Sequence, residues 1–436
     1  MWRLESWRVC RFGPPCIERG PRELGSTDHI ERYLGRHGEK LPGWCKWTEP
    51  SSELCLVVAI PVHREVKTLF GVLDSLQETG MPREWVEIFV CVNDSRNDGP
   101  SVHEENQETL RLLEVYDSFF PLRVLDCSGP TRGFAAKKGG VGRARRLVMD
   151  LGLRWLAKTK VRGRGMLVSL DGDSPVGKNY LKDLWEEMNE REALLGISNY
   201  EHPLPEEAAH REALIAYEGW MRYFALGLRQ AGSPYGVETL GSTLAVRGEL
   251  YAQADGIPRK SALEDFYFLQ KVIKYTGGVG VERLSRPMVY PSPRLSDRVP
   301  RGTGPALRQA VEKGECLQVP DPEVFRGIAE FHRGLEPYFR GSKGNEEGLG
   351  IMSGWLKEEG YLQGLGELRE RANSLETFRL GAIRHIDGLK ERKWVNSMRE
   401  KLPDLRLSLA TQKLFGLPEE LKSEATLNLL RELASS

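Results

Sequence analysis

Two aspartates one residue apart close an apolar run: Asp171 and Asp173 follow Met166–Leu170 in GMLVSLDGDSPVG. Hard divalent cations take oxygen ligands, and Mg²⁺ usually shares a few protein carboxylates with substrate phosphates. An isolated Asp-x-Asp suits a turn capping a helix, here one that starts near Pro175; at the end of an apolar strand late in an α/β sheet it suits a metal and a phosphorylated ligand better. Asp94, in VCVNDSRNDG, ends another apolar run. Its carboxylate can accept the imide N–H of uracil or the N1 and N2 donors of guanine; a polar turn built by Asn93 and Asp98 is the competing use. In RGFAAKKGGVGRARR, a glycine-rich backbone enters a helix beside Lys137, Lys138, Arg143, Arg145 and Arg146. Free N–H groups and cations both favour phosphate there, although a basic helix face bathed in water accounts for several of the five.

Glu264 and Asp265 open a helix in ALEDFYFLQK. Acids at a helix start are stabilised by the dipole, and one aimed into a crevice can serve as a general base. The segment YPSPRLSDRVPRGTG carries Arg294, Arg298 and Arg301 and reads either as a lid over a phosphate-bearing ligand or as a plain surface loop. His63 sits at the end of the first apolar run, and the other histidines are scattered. Neither a Ser-His-Asp signature nor a Walker motif is present.

The elements that would position these groups alternate. LCLVVAI, WVEIFVCV, LRVLDC and MLVSL read as buried strands. VKTLFGVLDSLQETG, HEENQETLRLLEVYDSFF and VGRARRLVMDLGLRWLAK read as the helices between them. This order predicts an α/β domain with an open, mostly parallel sheet and helices on both faces. Ligands in such sheets bind beyond the carboxyl ends of the strands, where Asp94, Asp171 and Asp173 fall. Further on, ALLGISNY reads as a strand and PEEAAHREALIAYEGWMRYFALGLRQ as a long amphipathic helix. VETLGSTLAVRGEL reads as a short strand pair, ALEDFYFLQKVIKYTGG as a helix, and the chain from Arg283 to about residue 304 as a loop. Residues 1–52 read as an extension packed on the core, 53–304 as the catalytic domain and 305–436 as a helical C-terminal region. There, Phe378, Ala382, Ile386 and Leu389 share one helical face.

Composition narrows the class. Lys plus Arg and Asp plus Glu are both 62, so the formal net charge is zero, which speaks against a bulk nucleic-acid binder. The seven cysteines have no zinc-knuckle spacing; Cys55, Cys91 and Cys127 lie in strands, as buried reduced thiols would. The N-terminal residues are too polar for a signal peptide, and no run is long enough to span a bilayer. A cytoplasmic protein is expected, with peripheral membrane contact left open.

Taken in order, five segments resemble family 2 glycosyltransferases of the GT-A fold, over roughly residues 54–300. VVAIPVHREVKTLFGVLDSL is similar to that family's opening strand, Pro-x-Tyr-Asn-Glu and helix. VCVNDSRNDG stands at its Asp-Asp-Gly-Ser, KKGGVGRARRLVMD at its glycine-rich Ala-Arg-Asn helix and LVSLDGDS at its Asp-x-Asp. GSTLAVRGELYAQADGI with LEDFYFLQK resembles its acceptor-side segment and Glu-Asp motif. The resemblance implies transfer of a single sugar from a nucleotide-diphosphate sugar to an acceptor hydroxyl, with Mn²⁺ or Mg²⁺ and usually with inversion. A UDP-sugar is the favoured donor and a GDP-sugar the alternative. Asp265 would be the base and Asp173 the metal ligand. Pro61, His63, Glu65, Asp94, Lys138, Arg145 and Asp171 would line the donor site, and Gly241, Ser242, Glu264, Arg294 and Arg298 the acceptor side or a phosphate lid. His63 and Arg64 depart from the usual Tyr-Asn, and Arg146 from the usual Asn. The Gln-x-x-Arg-Trp of processive synthases is missing. A retaining transferase and a degenerate nucleotide-binding scaffold are the rival readings.

Overall fold

The computed structural model describes residues 28–135, 140–260, 262–296, 302–314, 317–341 and 346–435. Seven strands form one sheet: β1 (Leu56–Val62), β2 (Val86–Asn93), β3 (Leu122–Cys127), β4 (Met166–Ser169), β5 (Leu195–Tyr200), β6 (Leu244–Arg247) and β7 (Val281–Val289), in the order β3-β2-β1-β4-β6-β5-β7. All neighbours run parallel except β6, which is antiparallel to both β4 and β5. The expected mostly parallel α/β sheet is therefore present. β1 and β2 are buried along their whole length, which explains why they read as continuous apolar runs instead of alternating ones.

The helices of the first half are α1 (Asp28–Arg36), α2 (Leu69–Gln77), α3 (Pro100–Glu114), α4 (Gly129–Arg132), α5 (Val141–Leu156), α6 (Tyr180–Glu190), α7 (Ala208–Gln230), α8 (Gly248–Gln253) and α9 (Glu264–Thr276). Those of the second half are α10 (Thr303–Lys313), α11 (Glu323–Arg340), α12 (Met352–Glu358), α13 (Tyr361–Arg371), α14 (Leu375–His385), α15 (Gly388–Ser397), α16 (Leu407–Phe415) and α17 (Ser423–Ser435). Side chains of β1 alternate between two cores. Val57 and Ala59 pack with α5 and α8 on one face; Leu56, Val58 and Ile60 pack with α2 and α6 on the other. A third core joins Tyr223 and Leu226 of α7 to the C-terminal helices through Phe325, Ile328, Phe378 and Trp394.

The structure corrects three expectations. The stretch 281–289, read as loop from Arg283 onward, is the edge strand β7. Its register against β5 shifts between Ile197 and Asn199, and Glu187 of α6 accepts the freed N–H groups of Ser285 and Arg286. Pro287 is tolerated because the strand is an edge. The strand pair expected around residue 240 is a single strand, β6, entered by a 3₁₀ turn at Gly241–Thr243. Helix α14 ends before Ile386, and Asp387 caps a new helix by accepting the Lys390 N–H. Phe378, Ala382 and Ile386 are buried, whereas Leu389 is 43% exposed and lies on the next helix, so these four residues do not share one helical face. Of the five cations in the glycine-rich segment and helix α5, Arg145 and Arg146 are buried.

Arg146 has a structural task. It donates to the Asp255 and Ile257 carbonyls and to the Tyr33 hydroxyl of α1, and pairs with Asp150. Tyr33 in turn donates to Asp150. Arg146 is thus tied to the segment before β1, in which α1 packs on α5 and α8 through Ile30, Tyr33 and Leu34. Cys55, Cys91 and Cys127 are buried free thiols. Among the described residues, no helix is long and apolar enough to cross a membrane.

Candidate active site

The carboxyl ends of β1, β2 and β4 open onto one cleft of about 1110 Å³. Twelve of the residues singled out above line it: Pro61, His63, Glu65, Asp94, Arg145, Asp171, Asp173, Gly241, Ser242, Glu264, Asp265 and Arg294. Lys138 and Arg298 lie outside the described residues, as does Arg301.

Arg145 is the hub. Its side chain is 2% exposed and ties four segments together. One terminal nitrogen donates to Asp171 Oδ1 at 2.7 Å, the other to Ser169 Oγ and, at 3.1 Å, to the Gly241 carbonyl; Nε donates to Glu264 Oε1 at 3.1 Å. Burial pulls the Arg145 pKa down, but the charges of Asp171 and Glu264 outweigh it and hold the group above the ordinary arginine value. Gly241 permits this approach, since a Cβ there would lie 2.7 Å from an Arg145 terminal nitrogen. Gly142 is needed for the same assembly: its Cβ would meet the Lys260 carbonyl at 2.3 Å and Glu264 Cβ at 2.9 Å. Helix α5 thereby seats directly on the start of α9.

That start is reached through Leu263 in the left-handed region, φ 61°, a conformation costing an ordinary side chain roughly 1 kcal/mol or more. The turn separates the two acids. Glu264 is buried against Arg145. Asp265 keeps part of its surface open to the cleft and takes a hydrogen bond from the Phe266 N–H. Loss of water raises the Asp265 pKa most, the Glu264 charge adds to it, and Phe266 N–H and Arg145 oppose it; the result is pushed up to about 7.

Asp94 is deeply held. Its carboxylate accepts the Gly129 N–H at 2.8 Å and Asn106 Nδ2 at 3.0 Å and contacts His103 Nδ1 at 2.9 Å. The acid fastens the end of β2 to α3 and α4 as well as bordering the cleft. His63 Nδ1 meets the Asn93 carbonyl at 2.9 Å, which fixes the ring at the rim.

Asp173 does not stand alone. After β7 the chain runs beside the Asp-Gly-Asp loop, held by the Tyr290 N–H on the Pro175 carbonyl and the Gly177 N–H on the Met288 carbonyl. This brings Arg294 onto two carboxylates: it grips both oxygens of Glu65 and lies 2.6 Å from Asp173 Oδ2. The Thr68 hydroxyl sits between Glu65 Oε2 and the Gly172 carbonyl, at 2.7 and 3.0 Å. Among the described residues, no three His, Cys, Asp or Glu side chains gather closely enough to hold a metal ion unaided. Glu65 and Asp173 nevertheless converge on one cation, the Arg294 guanidinium. A hard dication that draws its remaining ligands from substrate phosphates fits such a two-carboxylate set.

The opposite wall was not legible in the sequence. Tyr217, Trp220 and Phe224 of α7, Phe266 and Tyr267 of α9, and Leu389 and Arg392 of α15 line it. The Trp220 and Phe224 rings stack with centroids 5.6 Å apart, and Arg392 lies 5.5 Å over Trp220. The 217/220/224 spacing on α7 is a detectable signal for one helix face; the contribution of α15, well over a hundred residues away, has no local signal.

Against that geometry stand the comparisons with known proteins. No protein-family model and no curated protein matches the chain. Solved glycosyltransferase structures are similar in outline. S. aureus TarS 1–349 in complex with UDP-GlcNAc matches at TM-score 0.39 with 16% identity, over 80% of this chain and 92% of that one. The mannosyltransferase PcManGT from Pyrobaculum calidifontis, in complex with GDP-Man and Mn²⁺, matches at 0.34 with 14% identity, over 90% and 94%. Scores this low carry no functional weight, and the reading below rests on the cleft.

Proposed function

We propose that this chain is a glycosyltransferase that moves a single sugar from a nucleoside-diphosphate sugar to an acceptor hydroxyl, with inversion and with Asp265 as general base. The observation that carries the reading is a convergence: Asp171, Asp173, Glu264 and Asp265 line one cleft with Arg145 and Arg294, and Asp265, pushed up to about 7 by burial and the Glu264 charge, suits a base near neutral pH. It faces a cleft in which Glu65, Asp94, Asp171 and Asp173 follow the carboxyl ends of β1, β2 and β4, and whose motifs follow the order of family 2 glycosyltransferases of the GT-A fold.

In this scheme the acceptor oxygen attacks the anomeric carbon while the bond from that carbon to the diphosphate oxygen breaks, and Asp265 takes the hydroxyl proton. Arg145 fixes the distance between the donor side, Asp171, and the base side, Glu264 and Asp265. Asp94, Pro61 and His63 border the base and ribose end, with UDP favoured over GDP. The aromatic wall of α7 and α9 receives the acceptor and excludes water. Asp173, with Glu65, would hold a Mn²⁺ or Mg²⁺ ion, which would supply charge neutralisation for the departing diphosphate.

The test is a thermal-shift panel of nucleoside diphosphates with Mn²⁺ or Mg²⁺, followed by analysis of the product anomer. A ligand at 100 times its Kd adds about 2.7 kcal/mol of stability. No stabilisation by any nucleoside diphosphate sinks the reading, and a product with retained configuration removes Asp265 as base.

A further inference from the structure

We infer that Arg294 is an internal counter-cation for Glu65 and Asp173 that competes with the divalent ion, so that metal binds firmly only when a diphosphate draws Arg294 away. The inference rests on the donor site proposed above and adds to it a residue that couples the two ligands.

Three observations carry it. First, Arg294 makes a two-pronged contact with Glu65 and reaches Asp173 at 2.6 Å, so one guanidinium occupies the charge position that a dication would take. Second, the partners differ in exposure and in how they are held. Glu65 is buried and fixed through Thr68 to the Gly172 carbonyl, while Arg294 is 29% exposed and sits on a segment without regular secondary structure. Swinging the arginine away therefore disturbs less of the packed structure than moving Glu65. Third, the neighbouring acids already have a cation. Arg145 is buried between Asp171 and Glu264 and cannot leave without exposing both, so of these two arginines Arg294 is the one that can exchange.

Chemistry supplies the direction of exchange. A guanidinium pairs with phosphate oxygens through the same two-pronged geometry that it uses on a carboxylate. An entering diphosphate therefore offers Arg294 an equivalent partner and leaves Glu65 and Asp173 as hard oxygen donors beside the same phosphates. Without the diphosphate, a dication must displace the guanidinium against its attraction to both acids. Metal and nucleotide binding are then positively coupled, and coupling is reciprocal.

The experiment titrates the full chain with Mn²⁺ alone, read by the electron paramagnetic resonance of free Mn²⁺. Wild type, Arg294→Gln and Arg294→Gln/Asp173→Asn are compared, and Arg294→Ala serves as a second variant in case Gln impairs folding. Relieved of the internal cation, Arg294→Gln is expected to bind Mn²⁺ about tenfold more tightly than wild type or better, within the usual range of coupling between sites. Adding Asp173→Asn is expected to erase that gain. Equal Mn²⁺ affinity of wild type and both Arg294 variants overturns the inference, and so does a gain that survives Asp173→Asn. Because no nucleotide is present, the outcome is separable from the transferase reading, which fails instead if no nucleoside diphosphate binds.

Discussion

Arg145 and Asp171 meet at 2.7 Å at the mouth of β4, with the arginine almost wholly buried and the aspartate a third exposed. The pair joins helix α5 to the Asp-Gly-Asp loop, and the other edge of the same guanidinium holds Glu264. Removing the cation leaves a buried carboxylate without its counter-charge. Breaking one partner of a buried ion pair typically costs about 3–5 kcal/mol, and Arg145→Met is expected to lose stability of that order. Arg145→Lys is expected to recover part of it, because a lysine keeps the charge but not the fork that spans both acids. Urea denaturation of the three proteins measures both effects; a Met variant as stable as wild type contradicts the hub assignment.

Gly241 makes the same point from the opposite side. A methyl group there would press on the Arg145 guanidinium at 2.7 and 3.0 Å. Gly241→Ala is expected to destabilise by about 1–3 kcal/mol, the usual cost of overpacking a tight site. It should also lower turnover, since Arg145 positions Glu264 and, through it, the start of α9. Denaturation midpoints and turnover together check this, and an unperturbed variant would show that the loop yields freely.

Asp265 and Glu264 are adjacent but face different tasks. Asp265→Asn is expected to retain donor affinity and to lose about 10²- to 10⁴-fold in transfer rate, the range for loss of a general base. Glu264→Gln weakens a hydrogen bond to a charged partner, worth about 1.5–3 kcal/mol, so its main effect is on stability and its loss of rate is smaller. Turnover and donor affinity, measured separately for each variant, decide. A larger rate defect in Glu264→Gln assigns the base wrongly.

The raised pKa of Asp265 gives two pH signatures. Only the ionised form accepts a proton, so kcat/KM is expected to rise through an apparent pKa of about 7 and Asp265→Asn to lose that limb. Stability moves the other way. The folded state holds this proton up to about pH 7, whereas an unfolded aspartate releases it near pH 3.9. The favourable contribution is therefore complete below the unfolded pKa and is lost as pH rises through the folded one. Unfolding free energies at pH 5 and 8 are expected to fall less steeply in Asp265→Asn than in wild type. Identical slopes would mean that Asp265 titrates normally.

The sequence by itself determined the strand-helix alternation, because strands buried on both faces must be apolar throughout and the helices between them must carry apolar residues at helical spacing. It also placed Asp94, Asp171 and Asp173 at carboxyl strand ends, because an acid that closes an apolar run has few other places to go. It could not deliver β7: Arg283, Arg286 and Pro287 read as loop, and the strand exists because β5 offers an edge and Glu187 takes up the N–H groups at its irregularity. Nor could it separate Arg145 and Arg146, adjacent on one helix, of which one reaches the acids of the cleft and the other the carbonyls and tyrosine around α1. Which carboxylate a given arginine meets depends on segments distant in the chain: Arg294 meets Glu65 across 229 residues. Local sequence fixes what a side chain can do, through its charge and its element. Only the packed tertiary structure decides which opposite charge is near enough to matter, since that energy falls off within a few ångströms of contact and with the water between.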